Sequence, residues 1–251
     1  MLNIETVLCR AGSMNNYSYI IFSEDNSVCA VIDPSEAFPI ISRLKQLNLI
    51  PQYIFNTHHH FDHTDANAEL KNLYNCKVVA NINDSSRIPE FEIGVIPDKC
   101  YKLSPKELSP ISCMDKSSLS FQIIDVSAHT QGHILYYFPN DKALFTGDTL
   151  FNLCIGGLFE GTPEQMFNSL QKIKELPDDT LFYPGHEYTA HGVSEAYTLL
   201  NGNQDIQNYL QKAQNRLQKG LPAGPYSLKE EKKCNPYLRA KSLNDFLNLF
   251  S

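Results

Sequence analysis

Seven consecutive residues, Thr57-His58-His59-His60-Phe61-Asp62-His63, hold half of the eight histidines in this 251-residue chain. They follow the β-forming run Tyr53-Ile54-Phe55 and precede a helical pattern from Ala66 to Tyr74. That order puts them on a loop at the carboxyl end of a strand, where α/β sheets place ligands. In an extended stretch His58 and His60 project to one side, and Asp62 and His63 add a carboxylate and a third imidazole as the chain turns into the helix. Imidazole with carboxylate is a donor set for zinc, iron or manganese. In a chain with so few histidines, H-x-H-x-D-H arises by chance about once in two thousand.

The flanking sequence sets the layers. Tyr17 to Phe22 and Val28 to Asp33 are β-forming runs joined by a polar turn, the pattern of an antiparallel hairpin. Ile40, Ile41, Leu44 and Leu47 recur at helical spacing behind Pro39, and Cys76 to Ala80 forms another strand-like run. Alternation of strand and helix predicts an α/β layer arrangement. Residues 81–118, with four prolines, read as loop and edge structure. Thr162-Pro163-Glu164-Gln165 supplies an N-cap, a proline at N1 and a glutamine at N3, ahead of an apolar face of Met166, Phe167, Leu170, Ile173 and Leu176. From about residue 191 the pattern is helical and polar, with Ile206, Leu210, Ala213 and Leu217 on one stripe and Gly220 as the stop. The expected organisation is a catalytic domain over 1–190 and a helical, substrate-binding appendage over 191–251.

Three further β-like runs lead to metal-ligating side chains: Phe121 to Val126 to His129, Ala143 to Thr146 to Asp148, and Leu181 to Tyr183 to His186. Each alone is more often an ordinary core or loop residue. Four strand ends agreeing is harder to dismiss. Together they supply five imidazoles and two carboxylates, enough for two metal ions with a shared carboxylate. Glycines beside several of these positions let the backbone turn tightly there. His59 is expected to point outward, and His133 to support a ligand loop by hydrogen bonds.

Composition excludes other classes. A net charge of −7 and the lack of a long basic run disfavour nucleic acid. The appendage differs from the rest, with 8 Lys or Arg against 5 Asp or Glu over 191–251. No apolar run approaches bilayer-spanning length and no signal-peptide pattern opens the chain. The seven cysteines are scattered, with no C-x-x-C pair, and read as reduced thiols of a cytoplasmic protein.

The order T-H-x-H-x-D-H, a lone His, Gly147-Asp148-Thr149-Leu150-Phe151 and Gly185-His186-Glu187-Tyr188 resembles the metallo-β-lactamase superfamily. Within it the chain is similar to the glyoxalase II family, the hydroxyacylglutathione hydrolases. Met14-Asn15-Asn16-Tyr17, Thr130-Gln131-Gly132-His133-Ile134, Phe159-Glu160-Gly161-Thr162 and Asn235-Pro236-Tyr237-Leu238-Arg239 carry that likeness. The resemblance implies an αββα sandwich with a small C-terminal helical appendage. It also implies two divalent metal ions, zinc with iron or manganese as alternatives: His58, His60 and His129 on one, Asp62, His63 and His186 on the other, and Asp148 bridging. The activity it implies is hydrolysis of S-D-lactoylglutathione to a hydroxy acid and glutathione, in methylglyoxal detoxification, by a monomer. Asp62 orients the attacking hydroxide as well as ligating.

On the substrate side, Tyr188 keeps the family's substrate-contacting tyrosine and Phe159 stands where some members have tyrosine. The family's basic residue for the glutathione glycine carboxylate falls on Gly157, and its C-terminal Arg and Lys have no counterpart in Asn244 to Ser251. Lys232, Lys233, Arg239 and Lys241 are the candidate replacements. Three alternatives stand beside this reading: a hydrolase of a different thioester, an oxygenase like the single-iron persulfide dioxygenases, and a catalytically reduced binding module.

Overall fold

Strand β1 (Leu2–Cys9) pairs antiparallel with β2 (Asn16–Ser23), and β2 with β3 (Cys29–Ile32), so the expected hairpin has a partner in front of it. β1 escapes a search for apolar runs because it is an edge strand with polar residues among its apolar ones, Asn3 exposed and Glu5 and Thr6 half-buried. The computed structural model describes residues 1–115, 119–200 and 204–250. These form two units, one of Met1–Asp125 with Gly132–Asp141, the other of Val126–Gln131 with Lys142–Ser251.

In the first unit, β3 continues into parallel pairing with β4 (Tyr53–Phe55), reached through helix α1 (Ala37–Leu47). Helix α1 buries Ala37, Ile40 and Leu44, packs Ile41 and Leu47 against the same core, and ends on Asn48 in the left-handed conformation that asparagine tolerates. After β4 come the one-turn helix α2 (Phe61–Thr64) and α3 (Asn67–Tyr74), then β5 (Lys77–Asn81) and β6 (Phe91–Val95), both added in parallel. Strands β1 to β6 therefore lie in chain order in one sheet. β7 (Cys100–Leu103) pairs with β8 (Leu108–Ile111) and β9 (Ser120–Asp125), and β9 with β10 (Ile134–Phe138), all antiparallel. Phe55 of β4 packs on Phe121 of β9 at 5.4 Å and stacks on Tyr136 of β10 at 5.0 Å, so an aromatic layer joins these strands to the six-stranded sheet.

Two expectations change here. The stretch 81–118 contains three strands, β6 to β8, of which β6 and β8 are sheet edges and β7 lies between β8 and β9. Pro110 in β8 and the charges in β6 and β7 hide the periodicity; residues 116–118 lie outside the described residues. The cysteines are not all thiols. Cys100 and Cys113 form a disulfide with Cα atoms 5.2 Å apart, because the register that sets Cys100 opposite Ile111 returns Cys113 beside it. Cys9, Cys29, Cys76, Cys154 and Cys234 are free and buried, and burial raises the Cys29 and Cys76 thiols to about 12 and about 11, which leaves them as inert core groups.

In the second unit β11 (Ala143–Gly147) runs parallel to β14 (Leu181–Pro184), while β12 (Leu150–Phe151) and β13 (Cys154–Ile155) make a small hairpin between them. Helix α4 (Pro163–Lys174) has the predicted capping box, with Thr162 and Gln165 each accepting from the other's backbone N–H. Helices α5 (Thr189–Leu199) and α6 (Gln204–Leu217), the short β15 (Tyr226–Ser227) on β14, α7 (Leu228–Cys234), α8 (Pro236–Arg239) and α9 (Leu243–Leu247) follow. The buried stripe of α6 is Ile206, Tyr209 and Ala213, with Leu217 46% exposed, so the helix is turned from the expected face. The Tyr209 hydroxyl donates to buried Glu231 and its ring stacks on Tyr226 at 3.9 Å, contacts that hold it on the buried face. Residues 201–203 and 251 of the expected appendage lie outside the described residues. No helix among the described residues is long and apolar enough to cross a membrane.

Candidate metal centre

The predicted ligands fall into two sets, each built inside one unit. The first set spans the β4–α2 loop and the first residues of α2. Thr57 donates its N–H and its hydroxyl to the two Asp33 carboxylate oxygens at 2.7 Å each, which pins the loop where β4 ends. Asp33 Oδ2 also lies 3.1 Å from His63 Nδ1, and Thr57 Oγ1 lies 3.0 Å from His58 Nδ1. With Nδ1 engaged, each imidazole presents Nε2 as its ligating atom. Asn16 of β2 donates to the Asp62 side chain at 2.9 Å and to its carbonyl at 3.1 Å, and Asn56 donates to the His63 carbonyl at 2.9 Å. The result is a packed cluster: the His58 ring lies 4.7 Å from His60 and 4.3 Å from His63, and His63 Nε2 lies 3.5 Å from Asp62 Oδ2. His58, Asp62 and His63 are buried and His60 is half-buried.

Asp33, His58 and His63 also offer donor atoms within 4.8 Å of one another. Asp33 already serves Thr57 and His63 Nδ1, which makes it a buttress. It ends a strand with a carboxylate, as Asp148 does, so the signal existed; what hid its role is that its partners Thr57 and His63 lie 24 and 30 residues away. The Asn16 contact, 46 residues from Asp62, leaves no local trace.

His133 stacks on His58 at 4.7 Å and 18°, supporting it by ring packing. His59 does not point outward. Its Nδ1 lies 3.2 Å from buried Asp84, which Arg87 also binds, because the 3-10 turn at Ile82–Asp84 brings that carboxylate under the loop.

The second set comes from three separate strand ends. His129 Nε2 and His186 Nε2 approach the same Asp148 oxygen, Oδ2, at 3.5 and 3.3 Å, and all three residues are buried. Asp148 is turned inward by Gly147 at φ +46°, whose carbonyl accepts the Gly185 N–H at 2.8 Å and so couples the two loops. His129 Nδ1 lies 2.7 Å from the Gly157 carbonyl, which can only accept, so Nδ1 carries the proton and Nε2 the lone pair. Gly156 is required by space: a Cβ there would sit 1.7 Å from the Asp148 carbonyl oxygen. Tyr188 stacks on His186 at 4.7 Å and 8°, and Phe159, 72% exposed, sets its ring edge-on to His129 at 5.1 Å.

In the first set His63 Nε2, and in the second His129 and His186 Nε2, face a carboxylate oxygen, while the Nδ1 atoms of His58, His63 and His129 are engaged by neighbouring protein groups. A divalent cation fits such donors, since it replaces repulsion among lone pairs and carboxylate charge with coordination.

The appendage cations are largely committed elsewhere. Lys232 pairs with Asp178 at 2.6 Å, Lys233 with Asp205 at 2.7 Å, and Arg239 donates to the Lys233 carbonyl at 2.8 Å.

A model of the metallo-beta-lactamase superfamily matches residues 12–186, and one of the hydroxyacylglutathione hydrolase C-terminus matches residues 187–248. The class is thus a metallo-β-lactamase fold, an α/β sandwich of mixed sheets flanked by helices, with a C-terminal helical region. The solved ETHE1 of Myxococcus xanthus shares that fold at 24% identity and TM-score 0.68, over 98% of this chain and 89% of that one. Hydroxyacylglutathione hydrolase of Pelagibacter ubique is 38% identical over 99% of this chain and 97% of that protein. Hydroxyacylglutathione hydrolase of Bartonella henselae is also 38% identical, over 94% and 87%. The chain belongs to the hydroxyacylglutathione hydrolase family of that superfamily.

Proposed function

We propose that the chain is a dinuclear-metal hydrolase of 2-hydroxyacylglutathione thioesters, S-D-lactoylglutathione first among them, releasing a hydroxy acid and glutathione. The observation that carries this reading is the two donor clusters, one with His63 Nε2 facing the Asp62 carboxylate and the other with His129 and His186 Nε2 facing the same Asp148 oxygen. Family membership with relatives named for that activity supports the substrate class. We assign His58, His60 and His129 to one metal, Asp62, His63 and His186 to the other, and Asp148 to both. Zinc is the proposed metal, with iron or manganese as alternatives; TTHA1623, 25% identical at TM-score 0.57 over 72% of this chain and 91% of that one, was solved in a di-iron-bound form.

Two divalent cations held by these residues would supply Lewis acidity for the thioester carbonyl and bring the ionisation of a water toward neutral pH. Asp62, held by Asn16, orients that water, and Tyr188 and Phe159 flank the acyl or thiol portion of the substrate. Water's oxygen bonds to the carbonyl carbon, the carbon–sulfur bond breaks, and a proton from water ends on the departing sulfur. The division into a catalytic domain over 1–190 and a substrate-binding appendage over 191–251 belongs to this reading. So do a monomeric state, independence from nucleic acid and membranes, and a cytoplasmic location suited to a reaction that returns glutathione.

The test is metal analysis paired with a thioester panel that varies the thiol. About two metals per chain, with turnover of lactoylglutathione far above that of Asp62→Ala, is expected. Oxygen uptake on glutathione persulfide with one iron per chain would overturn the hydrolase reading in favour of an oxygenase. Failure to turn over any thioester would reduce the chain to a binding module.

A further inference from the structure

Glu231 of α7 is fully buried, and no Lys or Arg pairs with it among the described residues. Its Oε2 accepts the Leu153 N–H at 3.1 Å and the Asn235 amide at 3.0 Å, and its Oε1 accepts the Tyr209 hydroxyl at 2.5 Å. A carboxylate without a cation is a costly core group. What it holds is specific: Leu153 has φ +64°, an unfavourable conformation for a leucine, and its N–H points into the core. Asn235 grips the next residue, donating to the Cys154 carbonyl at 3.2 Å while its side-chain oxygen caps α8. Two residues further, Gly156 lies against the Asp148 carbonyl, and the Gly157 carbonyl accepts the hydrogen bond from His129 Nδ1.

We infer that Glu231 is a positioning residue for His129. The path runs from the carboxylate to the Leu153 N–H, along the backbone to Gly157, and through its carbonyl to the imidazole. Releasing Leu153 frees the loop to move the Gly157 oxygen, and His129 then loses the acceptor that fixes its tautomer and aims Nε2 at Asp148. The C-terminal helices would thereby tune metal binding without touching the metal. This inference rests on the reading of His129 as a ligand.

The experiment measures metal affinity by chelator competition, together with metal content, kcat, KM and melting temperature, in the full chain and in Glu231→Ala, Glu231→Gln and Glu231→Asp. In Glu231→Ala, affinity for the more weakly held metal should fall by tenfold or more and kcat by a similar factor, with KM changed less than threefold. Glu231→Gln keeps an oxygen for the Leu153 N–H and should recover affinity to within about threefold of the parent. Should Glu231→Ala fail to fold, Glu231→Asp carries the test, because it withdraws the acceptor by one methylene and should show the same tenfold loss. A lowered melting temperature with metal affinity and kcat within twofold of the parent would make Glu231 merely structural and overturn the inference. A parent chain that holds no metal would instead overturn the functional reading, and this inference with it, so the two failures are told apart by the parent alone.

Discussion

The two ligand sets reach similar chemistry by opposite routes. Four donors of the first occupy six consecutive residues that run from the β4–α2 loop into α2, and side chains hold them: Asp33 grips Thr57 and His63, and Asn16 grips Asp62. The second draws three donors from positions 129, 148 and 186, and backbone holds them: the Gly157 carbonyl fixes His129, and the Gly147 carbonyl ties the Asp148 loop to Gly185. A loop-built set is tuned by changing a buttress side chain. A strand-end set is tuned by moving backbone, which is why it depends on glycine at 156 and on distant Glu231.

The sharpest way to break the comparison is Asp148→Ala. It removes the carboxylate that His129 and His186 share, so metal content should fall from about two per chain to one or less and kcat/KM by roughly a thousandfold or more. Equal metal content in parent and variant would separate Asp148 from the centre. Gly156→Ala comes next. Its Cβ would lie 1.7 Å from the Asp148 carbonyl oxygen, so the backbone must shift, with a stability loss of about 1–3 kcal/mol by urea unfolding and a hundredfold drop in kcat of the order a misplaced catalytic group produces. Asp33→Asn tests the side-chain route: it keeps an acceptor for the Thr57 N–H but weakens the hold on His63, so metal affinity should fall by about 10–100-fold with the fold intact by circular dichroism.

The smallest effect is on stability against pH. Burial, with repulsion from Glu230, raises the Glu231 carboxyl to about 7 despite opposing hydrogen bonds from Tyr209, Asn235 and Leu153. Its ordinary value is 4.5, so between about 4.5 and 7 the unfolded chain gives up this proton while the folded chain keeps it. This group therefore costs stability as pH rises through that window, and the cost is complete above it. Glu231→Gln removes the titration, so its melting temperature relative to the parent should be higher at pH 8 than at pH 5. A difference that does not change between the two pH values would mean that Glu231 ionises in the fold as it does in water.

The candidate donors from His58 to His63, the strand–loop–helix frame around them and the capping box of α4 were legible in the sequence, because each depends on residues a few positions apart, and His129, Asp148 and His186 were each legible as the end of a β-like run. Spacing within one strand or one helical turn is a local geometric fact. Asp33 was readable in type but not in role, since its partners Thr57 and His63 are 24 and 30 residues away. The contact of His59 with Asp84, the Cys100–Cys113 bond, the rotation of α6 about Tyr209 and the grip of Glu231 on Leu153 were decided only by tertiary structure. Each joins residues 13 to 78 positions apart, over which chain periodicity carries no phase and packing alone selects the partner.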